Sequence, residues 1–417
     1  MHQKLVIYLV VVVCILLLDT YVFVSFQARV KQWSRMKQFL FKRFYWSLTI
    51  LFVALACLNS WFRLPIIVNA VYIACFFATY LSKICYVVFL LIDDIRRGVI
   101  WFNRKITKPI QSDLPTLSRS DFLLKTGIVV AGIPFASFSF GIVAGAYDYR
   151  VRHRTLYLAN LPDSFDGIKI AQLSDIHSGS FYRKQAVIGG VKMLLDEKPD
   201  IVFFTGDLVN MKSNEMYDYQ DVFARVQAPL GVYSVLGNHD YGDYSSWPSL
   251  ADKRKNLQDL IDTHKNMGWQ LLMNEHKRIR INHSEIAIVG IENWGTGRFP
   301  KYGRLNKALE NTDDVPVKLL LSHDPSHWRA QVIPEYPQID AMFAGHTHGM
   351  QMGIQWGNFQ MSPASLIYKE WSGLYQEQHQ QLYVNVGFGF LGLPGRLGIL
   401  PEITIFELKK GTSFVNG

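Results

Sequence analysis

Four apolar stretches in the first 150 residues constrain this chain most, because each approaches or exceeds the roughly 20 residues that a helix needs to cross a bilayer. Leu5–Phe26 is broken only by Asp19, Phe44–Phe62 is uncharged, and Leu64–Ile92 carries only Lys83. Thr126–Tyr147 is uncharged and rich in Gly and other small residues, which membrane helices tolerate. Buried helices of a soluble protein are usually shorter, and a cleaved signal peptide could account for the first stretch alone. The expectation is a membrane region over residues 1–150 with about four spanning helices, followed by a folded domain over residues 155–417.

Charge follows the same division. Before Thr155 there are 19 Lys and Arg against 6 Asp and no Glu, a balance of +13, whereas the remainder is at −4. A nucleic-acid binder needs its cations on the folded domain that meets the polymer, so no nucleic-acid partner is expected. Instead the cations flank apolar runs, in Gln27–Arg43 and Asp93–Asp121, with only Arg63 between the second and third runs. Such loops stay cytoplasmic, which puts both termini of a four-helix chain on the extracytoplasmic side. Arg150, Arg152 and Arg154, just after the fourth run, pull mildly the other way. Ser118-Arg119-Ser120-Asp121-Phe122-Leu123-Leu124-Lys125 resembles a twin-arginine export signal that keeps one of its two arginines. Cys14, Cys57, Cys75 and Cys85 all lie in the apolar half, so the folded domain has neither a disulfide framework nor a thiolate metal site.

From Leu156 short β-rich runs alternate with helical stretches, the pattern of an α/β domain. Ile168–Leu173 leads into Asp175-Ile176-His177, Ile201–Phe204 into Gly206-Asp207, and Val232–Leu236 into Gly237-Asn238-His239-Asp240. Val317–Leu321 leads into His323, and Ile339–Phe343 into Gly345-His346-Thr347-His348. Loops at strand ends of an α/β sheet converge on one crevice, so five of them bearing Asp, His and Asn imply a metal site. Asp175, His177, Asp207, Asn238, His323, His346 and His348 are more ligands than one ion can use while keeping room for water and substrate. Two divalent ions sharing a carboxylate fit better, and mixed imidazole, carboxylate and amide donors suit Mn, Fe or Zn. Such a pair binds a phosphoryl oxygen, acidifies a bridging water and clamps an in-line displacement.

These five motifs, in this order over roughly Lys169–Leu408, resemble those of the calcineurin-like metallophosphoesterase superfamily. The resemblance implies a two-sheet β-sandwich flanked by helices, with Asp207 as the bridging ligand. It implies one ion on Asp175, His177 and His348, a second on Asn238, His323 and His346, and His239 as the acid that protonates the leaving oxygen. The tail from Val384-Asn385-Val386-Gly387-Phe388-Gly389 through Gly392, Pro394, Arg396 and Pro401-Glu402-Ile403 is similar to that of a membrane-associated bacterial branch with phosphodiesterases of lipid- or nucleotide-linked substrates. Two departures stand out: Gly349-Met350-Gln351 replaces the branch's Gly-Gly-Gln, and Asn210 replaces an acid three residues after the bridging Asp.

His323, at a strand end, is preferred as ligand to His327 four residues on. Asp240 and Asp324 are expected to orient neighbouring histidines. Arg396 either meets a substrate phosphate or makes a structural ion pair. Tyr241, Tyr244, Trp247, Trp294, Phe299 and Tyr302 form a candidate apolar rim, and Ser249–Met267 reads as an amphipathic core helix. The function expected is a membrane-anchored phosphohydrolase acting on phosphodiester or pyrophosphate bonds, with lipid-linked substrates suggested by the anchor. Its rivals are a phosphomonoesterase or nucleotidase, and a non-catalytic membrane sensor on the same fold.

Overall fold

The computed structural model describes residues 2–412 apart from 63, 65, 107–118 and 357–358, and divides into two compact units, Met1–Phe140 and Gly141–Gly417. Four apolar helices dominate the first: α1 (His2–Val30), α2 (Arg35–Phe62), α3 (Ile66–Ile106) and α4 (Arg119–Val143). All four are long and apolar enough to cross a membrane. The two basic stretches differ from their reading as loops. Only residues 31–34 separate α1 from α2, and α3 continues past Ile92, with Arg96 and Arg97 pairing back to Asp93 at 2.9 and 2.8 Å. Lys and Arg are good helix formers, and successive turns of one helix let them neutralise Asp93 locally. Lys108 and Ser118 lie outside the described residues.

Most large side chains of this unit point outward and are apolar, as lipid-facing surfaces require; Leu17 is 66% exposed and Ile50 67%. A charged cluster lies in its interior. Asp19 of α1 is fully buried and pairs with Lys83 of α3. Its other oxygen accepts hydrogen bonds from Thr49 Oγ1 (2.6 Å) and Tyr80 OH (3.1 Å), and its backbone carbonyl one from Tyr45 OH (2.9 Å). Lys83 Nζ also lies 4.8 Å from the ring centroids of both tyrosines. In a low-dielectric interior such charges persist only when paired, so α1 is tied by charge to α3 and by hydrogen bonds to α2.

The second unit is a two-sheet sandwich. One sheet contains β1 (Arg150–Leu158), β2 (Lys169–Leu173), β3 (Ile201–Phe204), β4 (Val232–Ser234), β5 (Gln270–Leu271) and β14 (Glu402–Lys410), in the order β1-β14-β2-β3-β4-β5. The other contains β6 (Glu275–Ile281), β7 (Ser284–Gly290), β8 (Lys318–Leu321), β9 (Ala341–Ala344), β12 (Gly373–Glu377) and β13 (Gln380–Val384), ordered β12-β13-β9-β8-β7-β6. A separate hairpin pairs β10 (Ile354–Trp356) with β11 (Phe359–Met361). Strands β2 to β5 are mutually parallel, as are β7 to β9.

Both faces of the central strands are covered, which is why they read as continuous apolar runs rather than alternating ones. In β3, Ile201 and Phe203 enter the layer between the sheets, while Val202 and Phe204 face the helical layer outside. The inter-sheet layer is knit by edge-to-face aromatics, Phe203 on Phe343 at 5.0 Å and Phe343 on Phe406 at 5.1 Å. Outside the first sheet pack α5 (Lys184–Asp196), α6 (Gln220–Phe223) and α7 (Leu250–Asn266) through Val191, Phe223 and Leu260. Ser249 caps α7 by accepting from Asp252 N at 3.2 Å.

The strand ends carrying motifs lie within two residues of their predicted positions, and β1 is an addition. Arg150, Arg152 and Arg154 belong to that strand rather than to a helix flank, and Arg152 pairs at 2.9 Å with Glu402, itself 1% exposed.

Candidate two-metal site

All five motif loops leave the carboxyl ends of parallel strands: β2, β3 and β4 in one sheet, β8 and β9 in the other. Parallel strands present their carboxyl ends on one edge, so residues far apart in the chain meet there. Backbone bonds lock the loops together, with Asp175 N donating to Gly206 O (2.9 Å), His177 N to Asp207 O (3.1 Å) and Gly345 N to His323 O (2.9 Å). The Asp175 carboxylate accepts His346 N across the sheets at 3.0 Å. Gly237 and Gly345 are required by close approach: a Cβ on the first would collide with Asp207, and one on the second with Ser174 and Asp175.

Two groups of donors result. Asp175, His177 and His348 place ligand atoms within 4.8 Å of one another, and so do Asp207, His323 and His346. In the first group His177 Nε2 is 3.0 Å from His348 Nε2, which is 3.2 Å from Asp175 Oδ1. In the second, His346 Nδ1 is 3.3 Å from His323 Nε2. One atom serves both, since Asp207 Oδ2 lies 3.5 Å from His177 Nε2 and 3.1 Å from His323 Nε2. Asn238 is 4% exposed; its Nδ2 donates to Tyr244 OH at 2.8 Å, while its buried Oδ1 has no hydrogen-bond partner.

The donor set fits divalent cations. A buried amide oxygen without a partner, facing nitrogen lone pairs and two buried carboxylates are all costly unless a cation collects them. Burial lowers His177 to about 3, so its imidazole stays neutral, the form that ligates metal. Burial would lower His323 too, but the Asp207 and Asp175 carboxylates prevail and raise it to about 10. Burial would raise Asp175, yet His348 and His323 hold it well below the usual carboxylate range. The centre therefore draws positive charge.

Backbone strain gathers at the same atoms. Asp175, His177, Asp207, His346 and His348 all have φ between +48° and +72°. Left-handed conformations cost non-glycine residues roughly 1–2 kcal/mol each, and such strain typically sits where function needs a particular side-chain direction. Met350, at the departure noted in Gly349-Met350-Gln351, also has a φ of +48°. That departure adds strain without removing a donor.

The supporting residues differ from expectation in instructive ways. Asp240 orients no histidine; it accepts Asp207 N and Gly237 N on one oxygen and Leu208 N on the other, all at 2.9 Å, and so shapes the loop that presents Asp207. Burial and the Asp207 charge push its carboxyl up to about 7. Arg396 is 1% exposed and donates to the carbonyls of Val386, Gly387 and Gly389, with Nη2 3.3 Å from His348 Nδ1. Among the described residues it forms no ion pair; buried on these carbonyls, it braces the tail behind His348. Asp324 Oδ2 lies 3.7 Å from His346 Nε2, beyond hydrogen-bond distance, while its Oδ1 accepts Ser326 N at 2.8 Å.

His239 keeps a partner despite Asn210, because the backbone carbonyl of Asn210 accepts Nδ1–H at 2.7 Å. That bond commits Nδ1–H and leaves Nε2 as the ring nitrogen outside it. His327 turns away to Ser322 Oγ and Gln331 Oε1. Of the six rim aromatics, Tyr244 lies tilted against His239 at 4.5 Å and Phe299 meets His346 edge-on at 5.3 Å. Tyr241 is 4% exposed and stacked on Tyr302, so this pair belongs to the core.

Residues 168–350 match the calcineurin-like phosphoesterase family, and residues 3–146 match the 4TM phosphoesterase family, a transmembrane domain of calcineurin-like phosphoesterases. The chain carries a calcineurin-like phosphoesterase domain. Among curated relatives of this phosphoesterase, the uncharacterized metallophosphoesterase YkuE of Bacillus subtilis is 28% identical over 304 residues, covering 70% of this chain and 98% of YkuE. A transmembrane protein with metallophosphoesterase domain from Danio rerio is 29% identical over 282 residues, 65% of this chain and 60% of that protein. The UDP-2,3-diacylglucosamine pyrophosphatase LpxG of Chlamydia trachomatis serovar D is 28% identical over 287 residues, 55% of this chain and 81% of LpxG. The phosphoesterase is thus membrane-associated and multi-pass, with divalent metals as its cofactors.

One residue of the site carries no motif. Tyr368 OH lies 2.8 Å from His346 Nε2, holding the ring so that Nδ1 faces His323. Nothing short of tertiary structure links it to the cluster. Replacing Tyr368 with Phe is expected to weaken the more loosely held metal by about tenfold while leaving the fold intact, as loss of a ligand-orienting bond does. Metal titration of the apoprotein, followed by elemental analysis, reads this directly; unchanged affinity would remove Tyr368 from the site.

Proposed function

We propose that this protein is a two-metal phosphohydrolase that cleaves phosphodiester or pyrophosphate bonds in lipid-linked substrates. In this reading residues 1–150 anchor the chain and residues 155–417 carry the chemistry. The observation behind it is the position of Asp207 Oδ2 within 3.5 Å of donors from both ligand groups, the arrangement a bridging carboxylate needs. Asp175, His177 and His348 would hold one ion, and Asn238, His323 and His346 the other. The pair would bind a phosphoryl oxygen, acidify the attacking water and offset developing charge. The nitrogen and oxygen donors suit Mn, Fe or Zn. His239, its Nδ1–H engaged by Asn210 O, gives the proton on Nε2 to the leaving oxygen.

The lipid-linked class rests on the membrane helices and on the likeness to LpxG, whose name describes cleavage of a pyrophosphate in an acylated sugar nucleotide. The cations flanking the helices favour an extracytoplasmic catalytic domain. Hydrolysis of bis-p-nitrophenyl phosphate by the full chain in detergent, with Mn²⁺ or Zn²⁺ and beside the monoester, tests the chemistry. Metal-dependent diester cleavage at least about tenfold faster than monoester cleavage is the expected outcome. A preference for the monoester would point to a phosphomonoesterase or nucleotidase, and no turnover with any metal to the sensor reading.

A further inference from the structure

The phosphoesterase unit carries an apolar surface that packs against nothing within it. On the hairpin, Ile354 is 52% exposed, Trp356 84%, Phe359 58% and Met361 52%; on the turn that follows, Leu366 is 88% and Ile367 66% exposed. Large apolar side chains this exposed are ordinary singly, whereas six within fourteen residues form a patch, and patches mark interaction surfaces.

The patch has a definite place. Residues 141–147 belong to this unit and also end the fourth apolar span, Lys125–Tyr147, so they mark where the chain leaves the bilayer. They are built into the unit by hydrogen bonds from Arg396 N to Gly141 O (3.2 Å) and from Tyr182 OH to Ile142 O (2.7 Å). The next residue after Arg396 pairs with the base of the hairpin: Leu397 N donates to Gln351 O (2.7 Å), and Gly353 N to Leu397 O (2.8 Å). Arg152, two residues into β1, donates to Gln355 Oε1 on the hairpin at 2.8 Å. One short segment, 396–397, therefore separates residue 141 from the apolar hairpin. The same stretch of chain joins the patch to the chemistry, since His348 precedes the hairpin and Tyr368, bonded to His346, directly follows Ile367.

We propose that the β10–β11 hairpin and the turn at 363–367 dock into the lipid surface, with Trp356 and Leu366 as the deepest side chains. Tryptophan and aliphatic side chains are favoured at the headgroup–acyl boundary, and a surface of this kind buries by several Å. Resting on the phosphohydrolase reading, this makes the substrate class one whose apolar part remains in the bilayer while its phosphate reaches the metals. A water-soluble phosphoester would draw no benefit from such a surface.

The test is a depth measurement on the full chain in phosphatidylcholine–phosphatidylglycerol vesicles. With the four native cysteines replaced by alanine, an environment-sensitive fluorophore is attached at Leu366→Cys, and for comparison at Asp313→Cys, an exposed site just before β8 at the opposite strand ends. Lipids bearing a nitroxide near the headgroup end of the acyl chain should quench the label at 366 about threefold or more strongly than that at 313, with a blue-shifted emission. Equal quenching at both sites overturns the proposal. So does a blue shift at 366 without lipid quenching, which would mean that protein covers the patch. A Trp356→Ser/Leu366→Ser chain should keep its turnover of soluble bis-p-nitrophenyl phosphate, showing that the fold survives. Absence of that turnover in the parent chain would count against the phosphohydrolase reading alone, leaving the quenching result to decide the docking.

Discussion

Replacing Asp207 with Asn should lower phosphodiester turnover on the order of 10³-fold or more, the largest effect of any single substitution in this protein. Its Oδ2 lies near donors of both ligand groups, and its Oδ1 accepts His239 N at 2.8 Å. An amide keeps the volume but loses the charge, and it must present its NH2 either to the shared position or to the His239 amide. Either choice sets a donor against a donor or a cation. Metal content should fall from about two ions per chain towards one or none, because both ions lose the same ligand. Elemental analysis beside kinetics would separate the causes. Full metal content with lost turnover would mean that Asp207 acts in catalysis without bridging, and near-normal turnover would end the two-metal reading.

The second large effect belongs to the membrane unit. Asp19→Leu leaves Lys83 buried without its counter-ion and deprives Thr49 and Tyr80 of their acceptor, so a loss of roughly 3–5 kcal/mol is expected. Lys83→Met leaves Asp19 with both hydroxyl donors and should cost less. The double substitution Asp19→Leu/Lys83→Met removes both charges together and should recover part of the loss, because replacing a buried pair by apolar groups is far milder than breaking it. Unfolding followed by circular dichroism in detergent provides the comparison. Strictly additive single effects, or a harmless Asp19→Leu, would show that the pair does not hold α1 to α3.

Much of the architecture was legible because its signals are local. Apolar runs of membrane length need only counting, and the expected four helices are present. Strands such as Ile201–Phe204, buried on both faces, are uniformly apolar, so the motifs could be placed at strand ends with little error. Motif order pointed to Asp175, His177, Asp207, His323, His346 and His348, whose donor atoms lie in two groups within 4.8 Å, and to Asn238. A periodic pattern could not reveal where helices continue through charged stretches. Thus α3 runs on past Asp93 because Arg96 and Arg97 neutralise that acid within a turn or so.

What only the tertiary structure decided are relations between residues that no spacing encodes. Buried Arg396 proved to be committed to backbone carbonyls, and Asp240 to the amides of the Asp207 loop rather than to a histidine. Tyr368 joined the site from a loop without a motif. Asp19, an interruption by hydropathy, became the counter-ion of Lys83, some sixty residues away. The physical reason is the same in each case. Sequence determines which groups are apolar, charged or able to ligate, and periodicity determines the elements that carry them. The partner of a buried polar group is settled by which elements pack together, because in a low-dielectric interior each such group must be satisfied by whatever the fold brings within reach.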